Sequence, residues 1–439
     1  MKKSFLKTLG IMSVVFAMSA CSSSNTLAEE LGAPTDLNHS YTKEAISNPN
    51  YLAFKNKMRA FAGDFSEAYI YQEFVPGENI AISPLSLELC LGLAISSSSG
   101  ETRNELLRAL NLDYQTLHSY YRLYIDELSF EYLDKYKEPE SKLLLTNSLW
   151  VNDDISLKEN GLKHLINDRY CYAYAVDFKN DNRKSNHAIN RFFRDQTDGF
   201  LSPQFDFSKD ALLSLFNTIY LKDIWTTGKD GLSEADGAYK FTNIDGNVSK
   251  QKLLQGQYFP GKVIETAAFS SFYTQSNKGI KIYFVKANSI QDFTNLSPRA
   301  VVDYVLGSES LVTKDDNKKE IYETNCVFPE IFVNSNISLK KVLSNKLGIN
   351  RLFDSNRCDL SKLTSSSVFC EDIKQNVKLI IDKDGIEGSA VSSLTPNDVV
   401  VPEGYNLVKN TFVVDETFGY MITNSNNDIL FTGIITNID

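Results

Sequence analysis

The sequence predicts an α+β protein in which helices pack around a large sheet, because helical periodicity dominates the first half of the chain and strand periodicity the second. Apolar residues recur at helical spacing over residues 51–74, 84–95, 101–110 and 187–196. Strand patterns cover residues 170–176, 212–221, 280–285, 376–382, 411–414 and 428–435. With 42% hydrophobic and 12% aromatic residues, the chain has enough apolar material for a large core.

The clearest helix start is the pair Ser83-Pro84. Ser83 is placed to cap the helix, and Pro84 takes the first helical position, where no N–H is needed. A serine in this setting is far more often a cap than a nucleophile. The chain of 439 residues is long for one domain, but mixed folds rich in sheet reach this size as a single unit.

Residues 1–20 are predicted to be a lipoprotein signal peptide. Lys2, Lys3 and Lys7 precede an apolar run from Leu9 to Phe16, and small residues then lead to Cys21. The apolar run is too short to span a bilayer as a mature helix. The alternative is a chance cysteine after an apolar run. We expect acyl chains on Cys21 to anchor the protein.

Residues 21–48 are polar and irregular and are predicted to be a flexible tether to a domain spanning 49–439. Ser22 stands where an aspartate often retains bacterial lipoproteins at the inner membrane. We therefore expect an outer-membrane location in the cell envelope. The sequence leaves open whether the domain faces the periplasm or the outside.

Composition and motifs argue against nucleic-acid binding and enzyme chemistry. The chain has 55 acidic and 45 basic residues, a net charge of −10, and no basic block beyond the signal region. None of the 4 histidines neighbours a nucleophile motif, and G-x-S-x-G, H-E-x-x-H, C-x-x-C and P-loop patterns are absent. We expect no metal or cofactor. The widely spaced cysteines argue against a disulfide framework, although one bridge such as Cys358–Cys370 stays open.

A segment of small residues near the carboxyl end is unusual for a finished sheet. The apolar strand Ile380–Ile381 runs through Gly385 into small side chains, which leave little to bury. Such residues suit a strand that enters a sheet late. With strand period, one face carries small, uncharged residues and the other carries the only charge. The first face is Ile386, Gly388, Ala390, Ser392 and Leu394, and the second is Glu387, Ser389, Val391, Ser393 and Thr395. The alternative is a Ser/Gly-rich linker.

The chain from about residue 50 to its end resembles the serpin family. No single motif is specific, but their order and spacing are. The matching motifs are Asn79 through Ser83-Pro84 to Ser86, Gly100-Glu101-Thr102, Thr146-Asn147, Val176-Asp177-Phe178, Ile189-Asn190, Thr197-Asp198-Gly199, Asn217 through Tyr220 and Lys222 to Trp225, Phe328-Pro329, Leu347-Gly348, Phe418 and Phe431-Thr432-Gly433.

The resemblance implies a large central sheet and an exposed reactive-centre loop near the carboxyl end. It implies a suicide inhibitor of a serine protease, or of a cysteine protease, that acts as a monomer and supplies no catalytic residue. The resemblance implies that the protease attacks the loop and becomes acylated by it. The hinge then inserts into the sheet and carries the acylated protease with it. The hinge implied by family spacing is Gly385, Ile386, Glu387, Gly388, Ser389, Ala390, Val391 and Ser392.

Family spacing from Gly385 places the scissile bond at Val399–Val400, which suits an elastase-like enzyme. Counting back from Phe418 places it near Asn406–Leu407 instead. Where the sheet parts, the resemblance implies roles for Ser83, Ser86, Asn217, Trp225 and Gln375.

Departures from the family pattern are Asp223 for glycine, Gln375 for histidine, Lys383 for glutamate and Thr417 for proline. Gly388 and Pro396 also weaken insertion. Together with the departures, they keep a second interpretation open. In that interpretation the chain is a serpin-fold binding protein of the envelope that does not inhibit.

Overall fold

The structure is a computed structural model that describes residues 27–37, 39–132, 141–201, 203, 205–225, 231–288, 296–307, 311–386 and 401–438. Its helices in these ranges are α1 (Lys43–Ile46), α2 (Pro49–Glu73), α3 (Pro84–Ser97), α4 (Gly100–Ala109), α5 (Tyr114–Leu128), α6 (Glu159–Arg169), α7 (Asn182–Asp195), α8 (Pro298–Val305) and α9 (Lys340–Asn345).

The strands of the same ranges, in chain order, are β1 (Glu29–Gly32), β2 (Ile80–Ile82), β3 (Phe130–Tyr132), β4 (Ser141–Asn152), β5 (Cys171–Val176), β6 (Leu213–Ile224), β7 (Ser233–Glu234), β8 (Lys240–Thr242), β9 (Val248–Lys252), β10 (Leu254–Pro260), β11 (Ile264–Glu265), β12 (Phe269–Gln275), β13 (Lys281–Ala287), β14 (Lys314–Asp315), β15 (Glu320–Phe328), β16 (Ile331–Ser338), β17 (Lys374–Ile381), β18 (Gly385–Ile386), β19 (Asn406–Val413), β20 (Phe418–Thr423) and β21 (Ile429–Ile435).

Three sheets organise the described chain, and the predicted α+β fold is confirmed. The large sheet has the order β1-β5-β4-β6-β18-β17-β16, with β3 paired to β4. A second sheet has the order β11-β12-β13-β20-β21-β2. A third has the order β14-β15-β10-β7, with β19 added to β15, and β8 and β9 form a separate hairpin.

Helix α3 lies in the interior, and every one of its 14 residues is buried. The predicted cap is present, since Ser83 Oγ accepts a hydrogen bond from Ser86 N at 3.2 Å and Pro84 opens the helix. The serine hydroxyls of this helix and its cap reach both the large sheet and the second sheet. Because α3 is enclosed on all sides, its first turn can act as a fixed support under the large sheet.

The two faces of β6 lie against different cores. Leu215 and Leu221 pack into the main hydrophobic core with α3 and the second sheet. Phe216 packs into an aromatic cluster with Phe193 of α7 and Phe205. The large sheet is therefore covered on both sides, as burial of its apolar strands requires.

Part of the segment predicted to be a tether is ordered, which corrects that prediction. Strand β1 pairs antiparallel with β5, with Glu29 opposite Ala175, and α1 follows at Lys43–Ile46. His39 Nδ1 lies 3.0 Å from the Asp126 carboxylate, which fixes this segment to α5. The pairing uses the backbone groups of a polar strand, so the sequence shows no alternation of apolar residues that would have predicted the strand.

Strand β4, which pairs with both β5 and β6, was not predicted as a strand. The described cysteines carry free thiols, so the Cys358–Cys370 bridge is not formed. Across the described ranges, no helix is long and apolar enough to cross a membrane. Within those ranges, no group of three potential metal ligands comes together.

Candidate functional site in the large sheet

The large sheet contains a slot between β6 and β17. Strand β18 is the neighbour of both, and its described residues are Gly385 and Ile386. Gly385 pairs with Ile224, and Ile386 pairs with Asp223 on one side and Ile381 on the other. In the described chain, β6 and β17 form no ladder with each other, and below Ile386 they line a common cavity. In the part of the chain that the structure describes, no strand lies between β6 and β17 below Ile386.

The first turn of α3 holds both edges of the slot from beneath. Gln375 of β17 accepts a hydrogen bond from Ser83 N at 2.9 Å and donates to Ser83 O at 2.8 Å. Ser86 Oγ donates to the carbonyl of Asn217 on β6 at 3.0 Å. Ser83 Oγ donates to Leu430 O at 2.7 Å in the second sheet. The structure thus brings Ser83, Ser86, Asn217 and Gln375 together. Gln375 stands where the family pattern has histidine, and its side chain makes two hydrogen bonds there.

Asn217 carries a buried acceptor that no donor of the described chain satisfies. Its Nδ2 donates to Asn147 Oδ1 at 3.0 Å, whereas its Oδ1 has no hydrogen-bond partner there. Asn147 is itself fixed, because its Nδ2 donates to Arg169 O at 2.6 Å and to Tyr121 OH at 3.1 Å. A buried acceptor without a donor costs about 1–3 kcal/mol. A donor that entered the slot at this level would remove that cost.

The upper end of the slot is closed by a tight turn from β17 into β18. Asp382 Oδ1 accepts hydrogen bonds from Asp384 N at 2.9 Å and Gly385 N at 3.2 Å. Gly385 has φ +155, and a Cβ there would lie 2.3 Å from the carbonyl oxygen of Asp223, so the position requires glycine. Trp225 Nε1 donates to Asp382 O at 2.8 Å. The turn therefore delivers Ile386 into the core, where its side chain is 1% exposed.

Asp223 is a buried carboxylate beside the slot, which the sequence marked only as a departure from the family pattern. Its carboxylate is fully buried and accepts hydrogen bonds from Ser141 Oγ at 2.5 Å, Ser276 Oγ at 2.5 Å, Lys278 N at 2.8 Å and Ile224 N at 3.0 Å. Burial raises the pKa of this carboxyl, although the four donors oppose the shift. The side chain ties β6 to β4 and to the turn before β13. Its only sequence signal is an acidic residue inside an apolar strand.

Much of the predicted loop lies outside the described residues. This holds for Glu387, Gly388, Ser389, Ala390, Val391 and Ser392 of the hinge, for Val399 and Val400 of the favoured scissile bond, and for Cys21. Of the hinge, the structure places Gly385 and Ile386. Lys383 stands where the family pattern has glutamate, and its ammonium lies 3.3 Å from the Asp384 carboxylate.

The alternative scissile bond at Asn406–Leu407 lies inside a paired strand. Strand β19 runs parallel to β15, with Asn406 opposite Glu320 and Leu407 opposite Ile321. A protease binds its substrate in extended form through free backbone groups. The ladder with β15 occupies the backbone groups on one edge of this bond and holds it against the sheet, so this alternative is disfavoured. The preceding residues, Val401 to Gly404, are exposed.

Comparison with known proteins agrees with this geometry. The family model described as Serpin (serine protease inhibitor) matches residues 56–438. Iripin-1 of Ixodes ricinus is 25% identical over 385 residues, which cover 83% of this chain and 90% of the relative. The leukocyte elastase inhibitor of Sus scrofa is 23% identical, with coverage of 82% and 93%.

Among solved structures, the native state of the thermophilic serpin tengpin superposes with a TM-score of 0.71. Its sequence identity to this chain is 17%, and the match covers 94% of this chain and 100% of tengpin. At that identity the likeness concerns the fold. Together with the family model, which spans nearly the whole sequence, it leads to one conclusion. The chain belongs to the serpin family.

Proposed function

We propose that this serpin inhibits a serine protease by inserting residues 387–393 into the slot as a new strand. The observation that carries the proposal is the slot between β6 and β17, in which Gly385 and Ile386 are already paired and no other described strand lies. A strand in the slot would gain ladder hydrogen bonds on both edges. The uncut protein therefore stores free energy that cleavage of the loop can release.

The register of β18 assigns a partner to each entering residue. Continued along β6 and β17, it places Glu387 opposite Lys222 and Ser392 between Asn217 and Gln375. The alternate residues Gly388, Ala390 and Ser392 then face the core, as the small side chains require. Strand β17 begins at Lys374, which falls opposite Ser393. Pro396 therefore lies past the two-sided part of the slot and interrupts no ladder there.

The chemistry belongs to the protease. Its serine attacks the Val399 carbonyl carbon, an acyl bond forms, the Val399–Val400 bond breaks, and the protease histidine gives its proton to the leaving amine. This chain supplies the substrate bond and the strand. Valine on both sides of the bond suits an elastase-like enzyme with a small aliphatic pocket, and similarity to a leukocyte elastase inhibitor supports that class. The further course is a race between insertion and hydrolysis of the acyl bond.

Incubation with elastase tests the proposal directly. We expect a complex that survives SDS and whose mass is the sum of the protease and the fragment ending at Val399. Trypsin, which requires a basic residue, is the matched control and should give no such complex through this bond. A loop that elastase cuts without any stable complex would instead support a serpin-fold protein that does not inhibit.

The unsatisfied acceptor on Asn217 gives a prediction for Ser392. In the inserted state the Ser392 hydroxyl can donate to Asn217 Oδ1, which has no donor among the described residues. Ser392→Ala should therefore lower the melting temperature of the cleaved protein by roughly a few degrees and leave that of the uncut protein unchanged. Ser389→Ala, on the outer face of the same strand, is the control. An equal loss in both variants would contradict the register.

We also propose that lipid on Cys21 holds the protein at the outer membrane. Cys21 follows the apolar run of the signal directly, and multiple acyl chains anchor where one is marginal. Cys21→Ser should move the protein from the membrane to the soluble fraction, while inhibition in solution persists. The measurement is fractionation in high salt, with Ser22→Ala as the matched control. Retention of the Cys21→Ser protein in the membrane fraction would refute the anchor.

A further inference from the structure

The downstream end of the reactive loop meets the body of the protein in a tight turn. Tyr405 N donates to Pro402 O at 3.1 Å, and Gly404 has φ +81 at the third position of the turn. Asn406 N then donates to Lys319 O at 2.8 Å and starts β19. Pro402, Glu403 and Gly404 are exposed and Tyr405 is half-buried, so burial alone does not hold the turn in place.

Tyr405 is instead held by three charged side chains of the hairpin that joins β14 and β15. The ammonium groups of Lys314 and Lys319 lie 4.7 and 4.9 Å from the centre of its ring. The Tyr405 hydroxyl donates to the Asp316 carboxylate and accepts from Lys319 Nζ at 3.3 Å. Lys314 Nζ lies 2.8 Å from Asp316 Oδ1. Cation–π contacts and a charge-assisted hydrogen bond thus act on one side chain.

The hairpin is organised without the tyrosine. Asp315 Oδ1 accepts hydrogen bonds from Asn317 N at 3.0 Å and Lys318 N at 3.1 Å. Lys319 takes φ +58, which closes the turn. Asp316 lies in this turn and accepts a hydrogen bond from Tyr405. A hairpin fixed in this way presents Lys314, Asp316 and Lys319 at low entropic cost.

We propose that Lys314, Asp316 and Lys319 lock Tyr405 against the body and thereby determine which bond of the reactive loop a protease can cut. Tyrosine is the residue that chymotrypsin-like proteases prefer, and Tyr405 stands close to the loop in an exposed turn. A protease must draw that ring into its specificity pocket, and the lock prevents this. The inference rests on the proposed function, because the role it gives the lock is to prevent cuts that would destroy the inhibitor.

The location of a cut decides its outcome. A cut after Val399 leaves a strand whose length matches the slot, so that insertion pulls the acylated protease against the end of the sheet. A cut after Tyr405 would leave a longer free segment, and the protease could remain at a distance and complete hydrolysis. Cleavage there would consume the inhibitor. The lock therefore confines attack to bonds upstream of Pro402.

Chymotrypsin and mass spectrometry test the lock without any measurement of inhibition. The readout is the rate at which a fragment beginning at Asn406 appears. We expect this rate to rise at least tenfold in the double variant Lys314→Ala/Lys319→Ala relative to the unaltered protein. Lys318→Ala is the matched control, since its ammonium lies 3.9 Å from Asp315 and is not placed on the ring. Asp316→Asn, which retains both cations, should give an intermediate rate.

The outcomes separate the lock from the proposed function. An unchanged rate in the double variant, or an equal rise in Lys318→Ala, overturns the lock. So does cleavage of the unaltered protein after Tyr405 as fast as in a free peptide of residues 401–410. All the substituted lysines are on the surface, and unchanged melting curves would show that the variants are folded. If the lock holds and elastase forms no stable complex, the proposed function alone fails.

Discussion

Cleavage of the Val399–Val400 bond is expected to raise the melting temperature of the protein by about 10 °C or more. Residues 387–393 would enter the slot as a central strand, with about a dozen ladder hydrogen bonds at roughly 0.5–1.5 kcal/mol each. The inward residues are small, so the gain comes from backbone pairing more than from apolar burial. An ordinary loop that is cut gains nothing of this kind.

The measurement is a pair of melting curves, before and after limited digestion with elastase, with the cut bond identified by mass spectrometry. The control is a variant in which Ala390, an inward position beside Ile219 and Val377, is replaced by proline. Ala390→Pro removes one N–H and distorts the strand in the middle of the slot. The cut Ala390→Pro protein should lose most of the rise. A melting temperature that stays constant after cleavage of the unaltered protein would contradict a strained native state.

The helix cap beneath the slot could be predicted from the sequence because it depends on a local pattern. Ser83-Pro84 is a capping signal that concerns neighbouring residues only, and the structure has the cap. The small residues from Ile386 onward suggested a strand that enters late, and the structure has a slot beside Ile386. The family resemblance added Asn217 and Gln375, which lie far apart in the chain. Local pattern and family order together were enough for the fold.

Other features could not be predicted from the sequence because they depend on contacts between residues that are distant in the chain. Strand β1 pairs through its backbone, and the polar residues Glu29 and Glu30 give no apolar alternation. The Asp223 carboxylate meets Ser141 and Ser276, and no single segment shows that donors will surround it. Tyr405 depends on a hairpin that lies far upstream in the chain. Such contacts become visible only when the sheets are assembled.

The buried position of Ile386 beside Asp223 gives the second large prediction. The two residues are directly opposite on neighbouring strands, and both are buried. Ile386→Glu would place a second carboxylate next to that of Asp223 in a buried region, which would cost roughly several kcal/mol. The hinge should then stay outside the sheet, because that position lets the new carboxylate keep its water. The loop itself would remain available to the protease.

Ile386→Glu should therefore convert the proposed inhibitor into a substrate. Insertion competes with hydrolysis of the acyl bond, and each 1.4 kcal/mol added to its barrier shifts the outcome about tenfold. We expect elastase to cut the same bond while the SDS-stable complex falls by at least about a hundredfold. Ile386→Lys should retain more complex, since its ammonium can pair with Asp223, and Glu387→Gln on the outer face should retain nearly all of it. Equal loss in the Glu and Lys variants would refute the role of Asp223, and an undiminished complex in Ile386→Glu would refute insertion at this register.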